Sequence, residues 1–397
     1  MSQLKVNTIR HTGATTDAIT LAADGTCTAK LSNAGINRNL LDNGAMLIKQ
    51  RTVRDTSNGY FLDRYKTIWV GANEAPTISQ GTVASGTTPY NLGFRRTWKI
   101  TNGNQTSQDA GDYLHMQQRI EAQNMAGSGW NYTSASSYIT FSFWIKSSTN
   151  QNFYGYLRSV DTNDKSYPFE TGTLSADTWT KITKTIPGHA DLRFDDDIGA
   201  GLYVYISPFL GTDLTDSGVT LNQWANYATG TRTPDYPTGG TDWWQADDAT
   251  FETTGWQLEV GDVATDFEHR SYQTELLNCQ RYFFNIKGDQ YHTAGILGYA
   301  LDAQEVRVNV EFPVPMRQEP TYTGNVNGVS KDCKFKANDV SSTAHWHNFA
   351  IHSTNTTVNP KSCTMKWDKG SNHVTAGEAG ELEFHEDGGE LQFSADL

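Results

Sequence analysis

The chain has 397 residues, with 35 Gly, 11 Trp, 18 Tyr and 17 Phe, and a mean hydropathy of −0.57. That length suits two or three domains, and so aromatic and turn-rich a composition excludes a disordered chain and matches β-sandwiches with long loops. The net charge of −13 is uneven: residues 1–60 carry seven Lys/Arg against four Asp, whereas residues 191–262 hold 13 acidic residues against Arg193 and Arg232, which disfavours nucleic acid there.

No stretch approaches 18 uninterrupted apolar residues, and Met1–Asn7 lacks the apolar core of a signal peptide. The expectation is a protein made in a cytosol with no membrane insertion. Cys27, Cys279, Cys333 and Cys363 are scattered with no CxxC, so neither a disulfide framework nor a zinc knuckle is expected; a Cys333–Cys363 bridge is the alternative.

In chain order, residues 1–38 read as an arm of short β segments (Leu4, Val6, Ile9; Ile19, Leu21) broken at Gly13 and Asp24-Gly25. The arm has too few apolar residues for a core and needs partners to order it. Residues 39–270 show period-2 alternation: Ile139, Phe141, Phe143 and Ile145 against Thr140, Ser142, Trp144 and Lys146, then Leu202, Val204 and Ile206 against Tyr203 and Tyr205. Many such strands joined by polar loops predict a mainly β jelly-roll sandwich. Phe251 and Thr253 share one parity while Trp256, Leu258 and Val260 share the other, which predicts a bulge near Gly255.

A linking helix is expected within 271–288, covering 271–284, with Ser271 as N-cap, Glu275 in the first turn and Tyr272, Leu276, Cys279 and Phe283 as its apolar stripe. Residues 289–397 return to alternation (Val306, Val308, Val310; Leu391, Phe393, Ala395) as a C-terminal β domain, with Pro313 and Pro315 confining their segment to an edge or a strand end.

The block Gly255-Trp256-Gln257-Leu258-Glu259-Val260-Gly261, continuing to Ser271 and followed by Cys279-Gln280-Arg281-Tyr282-Phe283, resembles the closing strand and exit helix of a β-sandwich found in tail-fibre and related virion proteins of tailed bacteriophages, marine cyanophages especially. Asn39–Met46 with Tyr60–Tyr65, Phe141–Ser147 and Gly199–Val204 match the opening and interior of the same domain in order, over about residues 39 to 284. Leu4–Ile9 with Ile19–Thr26 is similar to the N-terminal arm of such proteins, and Phe312–Arg317 with the final hairpin to their C-terminal domain. The resemblance implies a homotrimeric virion protein, assembled in the host cytoplasm, that docks on tail or neck proteins through residues 1–38 and adheres to host-surface polysaccharide. A head-fibre or decoration protein, or a polysaccharide depolymerase, are the alternatives.

No G-x-S-x-G, H-E-x-x-H, Walker A or G-x-G-x-x-G context is present, so neither catalysis nor a cofactor is expected. Trp224, Tyr227, Tyr236, Trp243 and Trp244 crowd a loop-like segment with Asn226, Asp235, Asp242 and Gln245 nearby. Flat rings beside amides and carboxylates suit the apolar C–H faces and hydroxyls of sugars, and this segment is the expected glycan surface; core packing and a subunit interface are the competing roles. Asp195-Asp196-Asp197 offers oxygen ligands for Ca²⁺ or is a solvated loop, and His345-Trp346-His347 offers imidazoles for a metal at a threefold axis or is a plain surface strand.

Overall fold

The computed structural model describes residues 6–10, 12–13, 19–21, 23, 25, 27–29, 37–51, 58–237, 242–288, 293–324, 333–337, 346–348, 350–351, 357–368, 375–384 and 389–397. The chain is mainly β. Strands β1 (Thr8–Ile9), β2 (Ile19–Leu21) and β3 (Cys27–Ala29) form a small antiparallel sheet of their own, on which Ile9 and Leu21 are exposed.

The sandwich follows from β4 (Gly59–Leu62), β5 (Tyr65–Val70), β6 (Thr77–Thr82), β7 (Arg96–Thr101), β8 (Tyr113–Glu121) and β9 (Tyr138–Ser147). It is completed by β10 (Asn152–Ser159), β11 (Lys165–Thr173), β12 (Thr180–Pro187), β13 (Ala200–Leu210), β14 (Ala225–Asn226) and β15 (Thr250–Val260). Their antiparallel pairing makes a seven-stranded sheet, β14-β11-β10-β13-β8-β5-β4, and a five-stranded sheet, β12-β9-β15-β7-β6, in jelly-roll fashion. The alternating apolar residues of β9 and β13 enter the space between the sheets, where Trp98, Trp256, Phe141, Phe143 and Phe169 are fully buried. Tyr65 packs on Trp98 and edge-on against Trp256, with ring centroids 4.9 and 5.3 Å apart.

The parity slip in β15 is a bulge: its register with β9 shifts between Thr254 and Gln257. Gly255 sits there at φ +68°, and a Cβ would fall 2.8 Å from Phe94 Cζ, so only glycine fits.

The two ends of the sandwich meet through Asn39. Its Nδ2 donates to the Trp256 carbonyl at 2.8 Å, and its Oδ1 accepts from Leu258 N at 3.0 Å. Glu268 accepts from Asn37 N and Asn39 N and pairs with Arg270, which donates to the Asn39 carbonyl. The Glu268-His269-Arg270 run is thus spent on closing the domain.

Helix α1 (Thr88–Asn91) and helix α2 (Ala122–Ala126) are single turns, and helix α3 (Tyr272–Gln280) is the exit helix. Ser271 caps α3 by accepting from Thr274 N at 3.2 Å. The expected helix is too long, since Phe283–Gly288 is strand β16, paired with Gly389–Ser394. Its expected stripe is also corrected: Tyr272 is 61% exposed and Glu275 is buried beside Cys279, because the Glu275 carboxylate accepts from Asn43 N in the opening motif.

Beyond β16 run β17 (Thr293–Ala300), β18 (Glu305–Glu311), β19 (Thr321–Gly324), β20 (Cys333–Ala337), β21 (Trp346–Asn348), β22 (Ala350–Ile351) and β23 (Thr357–Val358). The last are β24 (Ser362–Asp368), β25 (Ala379–Phe384) and β26 (Gly389–Ser394). Together with β16 they form a three-stranded and an eight-stranded sheet around Val306, Val308, Val310, Phe335, Leu382 and Phe393. Phe312–Met316 follows the end of β18 as the prolines require, with Phe312 and Met316 buried. Cys363 is free and buried.

Candidate functional site

Strand alternation decides which side chains reach the outer face of the larger sheet. On β8, Leu114, Met116 and Ile120 enter the core, so Tyr113, His115, Gln117 and Arg119 point away from it. Register carries that face across the sheet: Lys66, Gln117, Tyr205, Tyr156 and Pro168 lie opposite one another in one row. Arg119, Tyr203, Arg158 and Ser166 form the next.

These rings touch in a continuous run. Tyr156 stacks on Tyr205 at 4.3 Å, Tyr205 meets His115 at 5.1 Å, and His115 stacks on Tyr113 at 5.1 Å. Guanidinium groups close its ends: Arg119 lies 4.6 Å over Tyr203, and Arg232 lies 5.9 Å from the rings of both Tyr113 and Tyr227. Arg158 covers the Tyr227 ring at 3.7 Å while its guanidinium binds Asp164 at 2.8 and 2.5 Å. The centre is closed, with Tyr156, Tyr205, His115 and Gln117 buried, and the rim of Tyr113, Tyr154, Tyr203 and Tyr227 is half-buried.

Gln117 is the odd member of this face. Only 1% exposed, it has no protein partner for either its Nε2 or its Oε1, and His115 Nδ1 is likewise without one. Most buried amides are hydrogen-bonded. Burial, then the charges of Arg232, Arg119 and Lys66, push the His115 imidazole down to about 3, so it is neutral. Burial first, then Glu170 and Asp235 among the neighbouring charges, raises the Tyr154 hydroxyl.

Two clefts flank the rows along β11. One, of about 440 Å³, is lined by Asp164, Lys165, Asp191 and Asn226; the other, of about 340 Å³, shares Asn226 and is lined by Ser166, Pro168 and Gln223.

Of the five aromatic residues expected to form a glycan surface, only Tyr227 joins this face. Trp224, Tyr236, Trp243 and Trp244 belong to the sandwich core. Trp243 and Trp244, both 0% exposed, lie in a turn in which Asp242 Oδ1 accepts from Gln245 N at 3.0 Å. Outside a strand, neighbouring side chains are not bound to alternate between core and solvent, and both rings enter the core. Trp244 stacks on Phe209 at 4.8 Å, and Trp243 Nε1 donates to the Thr250 carbonyl at 3.1 Å. Trp224 Nε1 donates to the Pro187 carbonyl at 2.7 Å, and the Tyr236 hydroxyl to that of Ser207 at 2.6 Å. Trp243 and Trp244 so placed present no face to a ligand, whereas Tyr236 lines a small cavity of about 170 Å³ with Phe209 and Leu210.

Among the described residues, no three His, Cys, Asp or Glu side chains converge as a metal site. Asp195, Asp196 and Asp197 are exposed, and Asp197 Oδ1 accepts from Gly199 N at 2.8 Å. His345 lies outside the described residues, and His347 belongs to β21. No described helix is long and apolar enough to cross a membrane.

No family model and no curated protein matches the chain. Solved structures similar to it include the enzymatically active domain of tailspike protein 4 from bacteriophage CBA120, at TM-score 0.29 and 10% identity over 56% of this chain and 21% of that one. A CBM4 module aligns at TM-score 0.26 and 14% identity over 55% of this chain and 99% of the module. The family 11 carbohydrate-binding module from Clostridium thermocellum, in complex with a mixed-linked tetrasaccharide, aligns at TM-score 0.23 and 11% identity over 54% and 95%. These scores carry no functional argument; the tailspike alignment spans only about a fifth of that protein.

Proposed function

We propose that the chain is a tail-fibre-type virion adhesin whose larger sheet presents its outer face to host-surface glycan and holds it without breaking a bond. The observation that carries this reading is the half-buried rim of Tyr113, Tyr154, Tyr203 and Tyr227, with Arg119 lying over Tyr203. Such rings offer flat faces to the C–H faces of a sugar, and Asn226, Gln223 and Asp164 in the flanking clefts offer partners for its hydroxyls. The virion role, the trimer and docking through residues 1–38 rest on the resemblance of the opening, interior and closing motifs. The exposed Ile9 and Leu21 of the N-terminal sheet support a partner there. Several weak sites on one fibre multiply through avidity.

The test is a glycan array probed with the intact protein, beside labelling of phage particles by an antibody against it. Binding to envelope polysaccharides, lost in Tyr203→Ala and retained in a surface control, is the expected result. Particle labelling without any glycan binding would instead make the chain a structural head or tail component. Release of reducing ends would make it a depolymerase.

A further inference from the structure

Resting on that glycan-binding reading, we propose that the ligand is a neutral polysaccharide chain whose adjacent hydroxyls are held by Asp191 and Asn226 in the cleft beside β11. Both side chains are exposed, and one ammonium fixes both: Lys165 Nζ donates to Asp191 Oδ2 at 2.8 Å and to Asn226 Oδ1 at 2.7 Å. Only 11% of the Lys165 side chain is exposed, so the anchor is itself held in place. An ammonium only donates, so the amide oxygen faces Lys165 and the Nδ2 donor of Asn226 is left over. Among the described residues, neither that Nδ2 nor Asp191 Oδ1 has a partner. The wall therefore presents one charged acceptor and one amide donor at fixed positions. Neighbouring sugar hydroxyls, each able to donate and to accept, satisfy both.

The cations at this site are already matched. Lys165 serves Asp191, and Arg158 binds Asp164 through both carboxylate oxygens, while Asp216, the remaining acid of the two clefts, has no cation against it among the described residues. An acidic polysaccharide would meet the excess of 13 acids over Arg193 and Arg232 in residues 191–262, with no spare cation in the cleft to offset it. The length of the site calls for a chain rather than a single sugar. Tyr203, Arg158, Ser166 and Ala225 are register partners on β13, β10, β11 and β14, one row that starts at the tyrosine rim and ends in the cleft wall. Three strand spacings make that row about 14 Å long, more than one pyranose ring spans. Asn226 lines both clefts, so a chain passing from one to the other crosses it.

The experiment is affinity electrophoresis of the intact protein in gels containing a mixed-linked β-glucan, a galactomannan, alginate or a sulfated galactan, at low and at physiological salt. Retardation by a neutral polysaccharide, equal at both salt concentrations and reduced about tenfold in Asp191→Ala and Asn226→Ala with unchanged melting temperatures, is expected. Asn226→Asp keeps an acceptor for Lys165 and removes only the amide donor, so the same loss in this variant shows a lost contact rather than a lost anchor. Retardation by alginate or the sulfated galactan alone would overturn the neutral ligand and leave the glycan-binding reading standing. Binding to a neutral polysaccharide that is lost in Tyr203→Ala but intact in all three cleft variants would overturn the cleft. Absence of binding to every polysaccharide would overturn both readings.

Discussion

Glu121 receives the Arg281 guanidinium on both carboxylate oxygens, at 2.7 Å each, and the Tyr282 hydroxyl at 2.5 Å. Glu121 ends β8, the strand that supplies Gln117 and Arg119, and Arg281 follows α3 directly. The strand under the candidate face is therefore tied to the exit from the sandwich, and Arg64 stacks 3.3 Å over Tyr282 to complete the junction.

Glu121→Gln breaks this pair and leaves Arg281 facing a neutral amide. The expected loss in urea unfolding is about 2 kcal/mol, less than for a wholly buried pair, because Arg281 keeps 31% of its side chain exposed. An unchanged midpoint would show that the pair is ornamental.

Gln117→Leu removes an amide that has no partner in the protein. Without ligand it leaves the melting temperature unchanged or raises it, since an unsatisfied buried polar group costs about 1–3 kcal/mol. A lower melting temperature would overturn the reading that this amide is unsatisfied in the folded protein.

Trp243→Ala and Trp244→Ala separate the core from the surface. Each is expected to destabilise the sandwich by about 3–5 kcal/mol, whereas Tyr203→Ala on the half-buried rim weakens glycan binding with little effect on the near-ultraviolet melting curve. The reverse pattern would return the recognition surface to the tryptophan loop.

Two carboxyls give opposite pH dependence. Burial raises Asp63 from 3.8 to about 6, against the opposing effects of Arg51 and Gln50. The folded chain thus holds this proton more tightly than the unfolded one, and its stabilising contribution, full below about 4, is lost as pH rises to about 6. Burial also opposes ionisation of Glu121, but its bonds from Arg281 and Tyr282 outweigh burial and lower it. Its contribution is present above the ordinary value of 4.5 and lost as pH falls through the lowered one. Asp63→Asn should therefore gain on the wild type by about 1 kcal/mol between pH 5 and pH 7.5 in chemical unfolding. A constant difference across that range would refute the assignment to Asp63.

Local signals in the sequence carried far. The parity slip located the bulge at Gly255, the Ser271 cap located the start of α3, and alternation in β9 and β13 located the core faces, because each depends on the geometry of a few consecutive residues. The end of α3 was less legible, since the strand pairing of Phe283 with Ser394 is set by a segment over a hundred positions away.

The candidate site divides in the same way. The polar side of β13, with Tyr203 and Tyr205 opposed to Leu202, Val204 and Ile206, is visible as a pattern, but nothing in one strand says which strands lie beside it. The density of Trp224, Tyr236, Trp243 and Trp244 points to a surface only until a turn and the sandwich core claim those rings.

By itself, then, the amino-acid sequence determined a mainly β chain, its strand faces, its bulge and its capped helix, all consequences of short-range sterics and period-2 burial. Only the tertiary structure decided that Lys66, Gln117, Arg119, Tyr156, Tyr205 and Arg232 share one face. Antiparallel register is a long-range choice made by the whole buried core, and the pattern within one strand does not contain it.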